Sequence, residues 1–236
     1  MNNFNYEICI INPYKSYLLA DKIILSARKV SSSKTKIIIS KYEFDNNIDH
    51  EYYDESVNVT NLIKEIENND TSDAFIISCF EDPALDIARS IKSKLIIGIG
   101  EASFYTANLI AKNFSIITTL SRSNEAIKNN LVNYGLDHKC VSINAIEVPV
   151  LDLETMSKIN LSKLKNEIKR TIEEDKAEVI ILCTPGMFNL SKQLEEEFQI
   201  PIIEGVSTAI TMVESLLKLG FNINRLAVNQ SKYIKG

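Results

Sequence analysis

Ala74-Phe-Ile-Ile-Ser-Cys79 and Val179-Ile-Ile-Leu-Cys183-Thr184 decide how the rest of the chain is read. Each is a short apolar, β-branched run that ends on a cysteine. Continuous apolar runs of this kind suit strands buried on both faces, as in a parallel sheet. The downstream segments match as well. After Cys79 come a helical pattern from Pro83, the run Leu95-Ile-Ile-Gly98 and a helical pattern from Glu101. After Thr184 come a helical pattern from Phe188, the run Pro201-Ile-Ile-Glu-Gly205 and a helical pattern from Ser207. The shared order of parts reads as an internal duplication, although the residues themselves match weakly. Two such halves facing each other would bring both strand ends to one cleft, where open α/β sheets bind their ligands.

Further strands are expected at Ile8–Ile11, Lys36–Ser40, Phe114–Thr118 and Cys140–Asn144. Helical stripes are expected over Leu18–Val30, Val57–Asn68, Pro83–Lys92, Ser121–Tyr134, Leu161–Glu174, Phe188–Phe198 and Ser207–Leu219. Asp82-Pro83 reads as an N-cap and first-turn pair, and Gly135 and Gly220 read as C-terminal stops. Strands alternating with helices imply a doubly wound α/β architecture. The polar and aromatic segment Lys41–Ser56 shows no period and reads as a long loop near the site.

The 236 residues suit one large domain or two small ones of roughly 100–150 residues. Apolar residues make up 45% and charged residues 24%, an ordinary globular mix. The net charge of −5 argues against a nucleic-acid partner, because phosphate binding needs a basic footprint. The start, Met1-Asn-Asn-Phe-Asn5, has no basic n-region, and no apolar run reaches membrane-spanning length. A soluble, cytoplasmic protein with no membrane partner is expected. Four cysteines and two histidines (His50 and His138) show no metal-ligand spacing, so neither a metal nor a disulfide framework is expected.

Cys79 and Cys183 are candidates for acid–base work at carbon. A thiol near 8.5 is a weak base whose pKa is tunable, and a helix N-terminus lowers it. The helix expected after Asp82-Pro83 would do this for Cys79, while Glu81 and Asp82 would oppose it, depending on where their side chains point. Asn12, Ser78, Thr118, Thr119 and Thr184 are small polar residues at strand ends, suited to hold a substrate. Backbone N–H groups at Phe80, Gly186 and Gly205 could cradle a carboxylate, an imide oxygen or a developing enolate. Each has a plainer reading. Free cysteines are usually small core residues, and Cys9 and Cys140 read as such. Thr118 and Thr119 have ordinary β propensity. Glu101 suits a helix first turn, and the two histidines read as solvated.

Linked motifs narrow the choice. Cys79-Phe-Glu-Asp-Pro-Ala-Leu85, Gly98-Ile-Gly-Glu-Ala102 and Phe114-Ser-Ile-Ile-Thr-Thr-Leu-Ser-Arg-Ser123 resemble, in order, segments of hydantoin and allantoin racemases. So do Gly135-Leu-Asp-His-Lys-Cys140, Ile146-Glu-Val-Pro-Val-Leu151, Gly186-Met187 and Pro201-Ile-Ile-Glu-Gly-Val206. The resemblance runs from about Tyr53 onward and points to the aspartate/glutamate/hydantoin racemase superfamily. It implies two pseudo-symmetric α/β domains, each a mostly parallel sheet flanked by helices, with the active site in the cleft between them. The expected division is 1–97 plus 207–236 for the first domain and 98–206 for the second. The resemblance also implies two catalytic cysteines, no cofactor, a small carbon-acid substrate and, as is common among relatives, a homo-oligomer.

Two departures stand out. The family's Asn-Pro-Asn-Thr/Ser is Asn12-Pro-Tyr-Lys15 here, which alters the pocket beside the first strand. The family's Gly-Cys-Ala-Gly-Met is Cys183-Thr-Pro-Gly-Met187, so an ungapped count puts Thr184 in the catalytic place and Cys183 in the place of a glycine. Neighbouring residues of a strand face opposite ways. Three outcomes stay open. Cys183 turns into the site and completes a two-thiol racemase or epimerase. Alternatively, Thr184 stands there, leaving a one-thiol decarboxylase, lyase or isomerase. Finally, the chain binds a metabolite without turnover.

Overall fold

The computed structural model describes residues 5–14, 16–41, 54–153 and 155–221, without the side chains of 41 and 54–58. The expected loop over Lys41–Ser56 falls mostly outside these residues, as does His50; His138 is exposed.

The first sheet is built from β1 (Tyr6–Asn12), β2 (Thr35–Lys41), β3 (Ala74–Ile77) and β4 (Leu95–Gly98), in the order β2-β1-β3-β4. The second is built from β5 (Phe114–Thr118), β6 (Cys140–Ala145), β7 (Ile180–Leu182) and β8 (Ile202–Glu204), in the order β6-β5-β7-β8. Every pairing is parallel. The described residues also form the helices α1 (Tyr17–Val30), α2 (Asp54–Asn68), α3 (Leu85–Ile91), α4 (Ile99–Ile110), α5 (Asn124–Asn133), α6 (Lys158–Glu173) and α7 (Phe188–Phe198), which lie between strands, and α8 (Gly205–Lys218), which follows the last. All eight expected strands are present, and the two sheets repeat one topology. None of the described helices is long and apolar enough to cross a membrane.

Side chains alternate along each strand, so each sheet serves two cores. Ile8, Ile10, Ala74 and Ile76 of the first sheet face the same central core as Phe114, Ile116, Val179 and Ile181 of the second. This core also takes Ile99, Ala102 and Phe104 of α4 and Val206, Ala209, Ile210 and Val213 of α8. Burying each large aliphatic chain contributes about 1.5–3 kcal/mol, so this shared core is a large part of what holds the halves together. Cys9, Ile11, Phe75 and Ile77 pack outward against α2 and α3. Ile117, Ile180 and Leu182 pack against α6 and α7.

Local chemistry explains most helix ends. Ser16 and Ser157 cap α1 and α6, accepting from the backbone N–H groups of Leu19 and Asn160. The cap at Ser157 starts α6 three residues before the expected Leu161. Gly135 (φ 69°) and Gly220 (φ 68°) occupy the left-handed region past α5 and α8, the conformation that favours glycine. The expected helix from Pro83 is shorter than read. It begins at Leu85, because Asp82 (φ 49°) and Ala84 (φ 58°) are left-handed. Asp82 therefore does not cap the helix after it. The stretch expected as one helix from Ser121 opens with a 3-10 turn over Ser121–Ser123.

Candidate active site

Strand register relates the two halves residue by residue. Ile77 pairs with Ile11 and Gly98, while Leu182 pairs with Ile117 and Glu204. One residue on, Ser78 N–H donates to the Ile11 carbonyl (2.9 Å) and Cys183 N–H to the Ile117 carbonyl (3.0 Å). Ser78 is therefore the counterpart of Cys183, and Cys79 that of Thr184. By the same register Asn12 answers to Thr118, and Gly98 to Glu204. The internal repeat read from the sequence matches cysteine with cysteine, whereas the register sets Cys183 one residue earlier and makes Thr184 the counterpart of Cys79.

Cys79 is half-buried just past the carboxyl end of β3. Its thiol donates to Glu81 Oε2 at 3.0 Å and accepts from the Tyr14 hydroxyl at 3.7 Å. Packing around the sulfur pushes the thiol well above its ordinary range, and the charge of Glu81 and the hydrogen bond to it push the same way. The Tyr14 hydrogen bond opposes them. The expected lowering by the next helix does not arise, because α3 starts six residues after the cysteine, beyond two left-handed residues.

Cys183 is buried in the central core beside Ile181. Burial raises its thiol well above the ordinary range, and the charge of Glu81 adds to this, while a hydrogen bond from the Thr118 hydroxyl opposes it. Glu81 thus acts on the thiols of both halves. Thr184 and Thr119 are each 6% exposed. The Ser78 hydroxyl is fully buried and has no hydrogen-bond partner among the described residues. Asn12 closes a turn on Tyr14, accepting from its N–H (3.2 Å) and donating to its carbonyl (3.1 Å). The Phe80 ring is buried, edge-on to Phe104 with centroids 5.3 Å apart. The Gly186 N–H, expected to cradle an anion, already donates to Glu204 Oε1 at 3.0 Å. Gly205 sits where α8 crosses the start of α4, and a Cβ there would lie 2.9 Å from Ile99 Cβ.

Two buried carboxylates hold the strand ends. Glu204 caps α8, accepting from Val206 N–H (3.1 Å) and Ser207 N–H (2.9 Å) as well as Gly186. Asp82 serves α4 in the same way, accepting from Gly100 N–H (3.0 Å), Glu101 N–H (2.6 Å) and the Tyr134 hydroxyl (3.0 Å). One half supplies its cap from the strand end, the other from the neighbouring loop. Glu101 does lie in the first turn of α4 and forms a bidentate ion pair with Arg89 (2.9 and 2.5 Å).

Burial pushes the Asp82 carboxyl up to about 8, against its three donors. The folded protein therefore holds a proton that the unfolded chain releases above the ordinary value of 3.8. The folded state binds more protons in that window, so stability falls as pH rises from there to about 8. Urea melts of the native chain and Asp82→Asn at the two ends of the window test this. The variant will show a shallower decline, and an identical slope would contradict the assignment.

Sequence reasoning missed Tyr14 as a contact of the thiol. Its signal was the departure from the family's first signature, which puts a phenol where relatives carry an asparagine. Among the described residues, no three of His, Cys, Asp and Glu converge as a metal site requires.

Paired parallel sheets with one topology, and a thiol at a strand end, define the class of racemase-fold α/β proteins. The family model Asp/Glu/Hydantoin racemase matches residues 8–213, and the chain belongs to that family. It is 33% identical to a hydantoin racemase of Rhizobium meliloti over 222 residues, covering 93% of this chain and 92% of the relative. It is 32% identical to a hydantoin racemase of Pseudomonas sp. (strain NS671), covering 93% and 89%. Allantoin racemase from Klebsiella pneumoniae superposes with a TM-score of 0.86 at 33% identity, covering 93% of this chain and 91% of that one.

Proposed function

We propose that the chain is a cofactor-independent racemase or epimerase acting on a small carbon acid, an amino acid or a hydantoin- or allantoin-like compound. Cys79 is its acid–base group. The carrying observation is the placement of that sulfur: half-buried at a strand end and touching a carboxylate and a phenol rather than only apolar atoms. The substrate class rests on the names of the hydantoin and allantoin racemases to which the chain is similar. The site lies between two units, 1–97 with 207–236 and 98–206, and the protein works in the cytoplasm. In the reaction the Cys79 sulfur takes the α-proton, the C–H pair moves onto the adjacent carbonyl, and a proton returns to carbon.

The register favours a second reading, of one-sided chemistry. Thr184 is the counterpart of Cys79, and a threonine hydroxyl is too weak an acid to serve as a base. One enantiomer of a 5-substituted hydantoin in D2O separates the two. A two-sided enzyme inverts the substrate as it exchanges, whereas a one-sided enzyme exchanges without inverting. For the one-sided case, Cys183→Ala will hold exchange within about threefold, and Thr184→Cys will speed inversion about tenfold or more. If Cys183→Ala instead abolishes exchange, Cys183 is the second base.

A further inference from the structure

We propose that Glu81 is the proton partner of Cys79, the two sharing a single acidic proton that travels between sulfur and carboxylate during turnover. This rests on Cys79 being the acid–base group.

The geometry is direct. The thiol donates to Glu81 Oε2 at 3.0 Å, and the Tyr14 hydroxyl approaches the same sulfur at 3.7 Å. The sulfur therefore has an acceptor for the proton it gives up and a donor for the anion that remains. The loop is held in place, since Asn130 Nδ2 donates to the Glu81 carbonyl at 2.6 Å. The other half has no equivalent: Gly186 stands at the counterpart of Glu81, two residues past Thr184. With a hydroxyl rather than a thiol at Thr184, a carboxylate beside Cys79 supplies the second acid–base group on the side where the thiol lies.

The step balances without a co-reactant. The S–H bond breaks, its pair stays on sulfur, and an O–H bond forms at Oε2. The thiolate, steadied by the Tyr14 O–H, then takes the α-proton, and the C–H pair passes to the adjacent carbonyl as an enolate. The sulfur returns a proton to carbon, its own or one exchanged with solvent, and the Glu81 proton then passes back to sulfur, which restores the resting pair of one thiol and one carboxylate. Among the described residues, the titratable groups that bear on this pair are Tyr14 on the sulfur and Cys183, whose thiol feels the charges of both Glu81 and Asp82.

The test compares the full chain with Glu81→Gln, Glu81→Asp and Cys79→Ser. One readout is iodoacetamide alkylation of Cys79, measured by peptide mass. The other is α-deuterium exchange of 5-benzylhydantoin. Removing the carboxylate charge makes the thiolate easier to form, so alkylation of Glu81→Gln at about pH 7.5 will rise about tenfold. Its exchange rate will nevertheless fall about a hundredfold, because a more abundant thiolate has lost the partner that carries protons to and from it during turnover, and Glu81→Asp will recover to within about tenfold of the native chain. A residue that only supports the fold would not move the two readouts in opposite directions. Native exchange in Glu81→Gln, or alkylation that is unchanged or slower, overturns the proposal. Exchange that survives in Cys79→Ser sinks the assignment of Cys79 instead, and the alkylation arm still reports on the Glu81 contact.

Discussion

Cys79→Ser will retain less than about one-thousandth of the native α-proton exchange, within the range that loss of a positioned acid–base group produces. A serine hydroxyl holds its proton far more tightly than a thiol does, so the oxygen cannot take hydrogen from carbon even where it keeps the contacts to Glu81 and Tyr14. The fold will tolerate the change. Cys79 is half-buried, its replacement is smaller and polar, and the neighbouring acceptor and donor accommodate a hydroxyl. Thermal melts of the two forms should coincide while exchange differs. Exchange at the native rate would remove Cys79 from the chemistry.

Gly98→Ala will cost about 3–5 kcal/mol of stability, the scale expected when a buried cap loses its hydrogen bonds and leaves several donors unpaired. A Cβ at this position would lie 2.0 Å from Asp82 Oδ1 and 2.2 Å from its Cγ. The methyl and the carboxylate cannot both be present. Expelling Asp82 strips the first turn of α4 of the acceptor for Gly100 N–H and Glu101 N–H and leaves the Tyr134 hydroxyl unpaired. At about 2–4 °C per kcal/mol for a chain of this size, the midpoint should drop by about 10 °C. A melt within about 2 °C of the native value would mean that the loop carrying Asp82 moves aside at little cost.

The strands were legible because their signal is local and strong. Runs such as Ile8–Ile11 and Ala74–Ile77 are buried on both faces, which forces them to be apolar throughout. The duplication was legible from the order of parts, and strand register makes it a residue-by-residue correspondence. The misreadings lie where distant residues decide. Asp82-Pro83 has the composition of a helix start, yet Asp82 is drawn away by the N–H groups of α4, and α3 begins two residues after Pro83. Gly186 looked available for a ligand, but Glu204, eighteen residues on, occupies its N–H. The upward shift at Cys79 comes first from packing around the sulfur and then from the Glu81 side chain turned toward it, and no periodicity reports either. Tyr14 approaches the sulfur from beyond the end of β1, sixty-five positions away, and only the altered first signature hinted at it.

The caps of α4 and α8 restrict how this chain could be recombined. Asp82 and Glu204 solve one electrostatic problem from opposite sides of the same socket, and each solution excludes the other. A hybrid that joined the loop after β3 to a strand ending like β8 would force two carboxylates into space for one. A hybrid of the reverse kind would leave its helix start with none. Each half is therefore tied to its own arrangement, and pieces can be exchanged between them only when loop and strand end travel together.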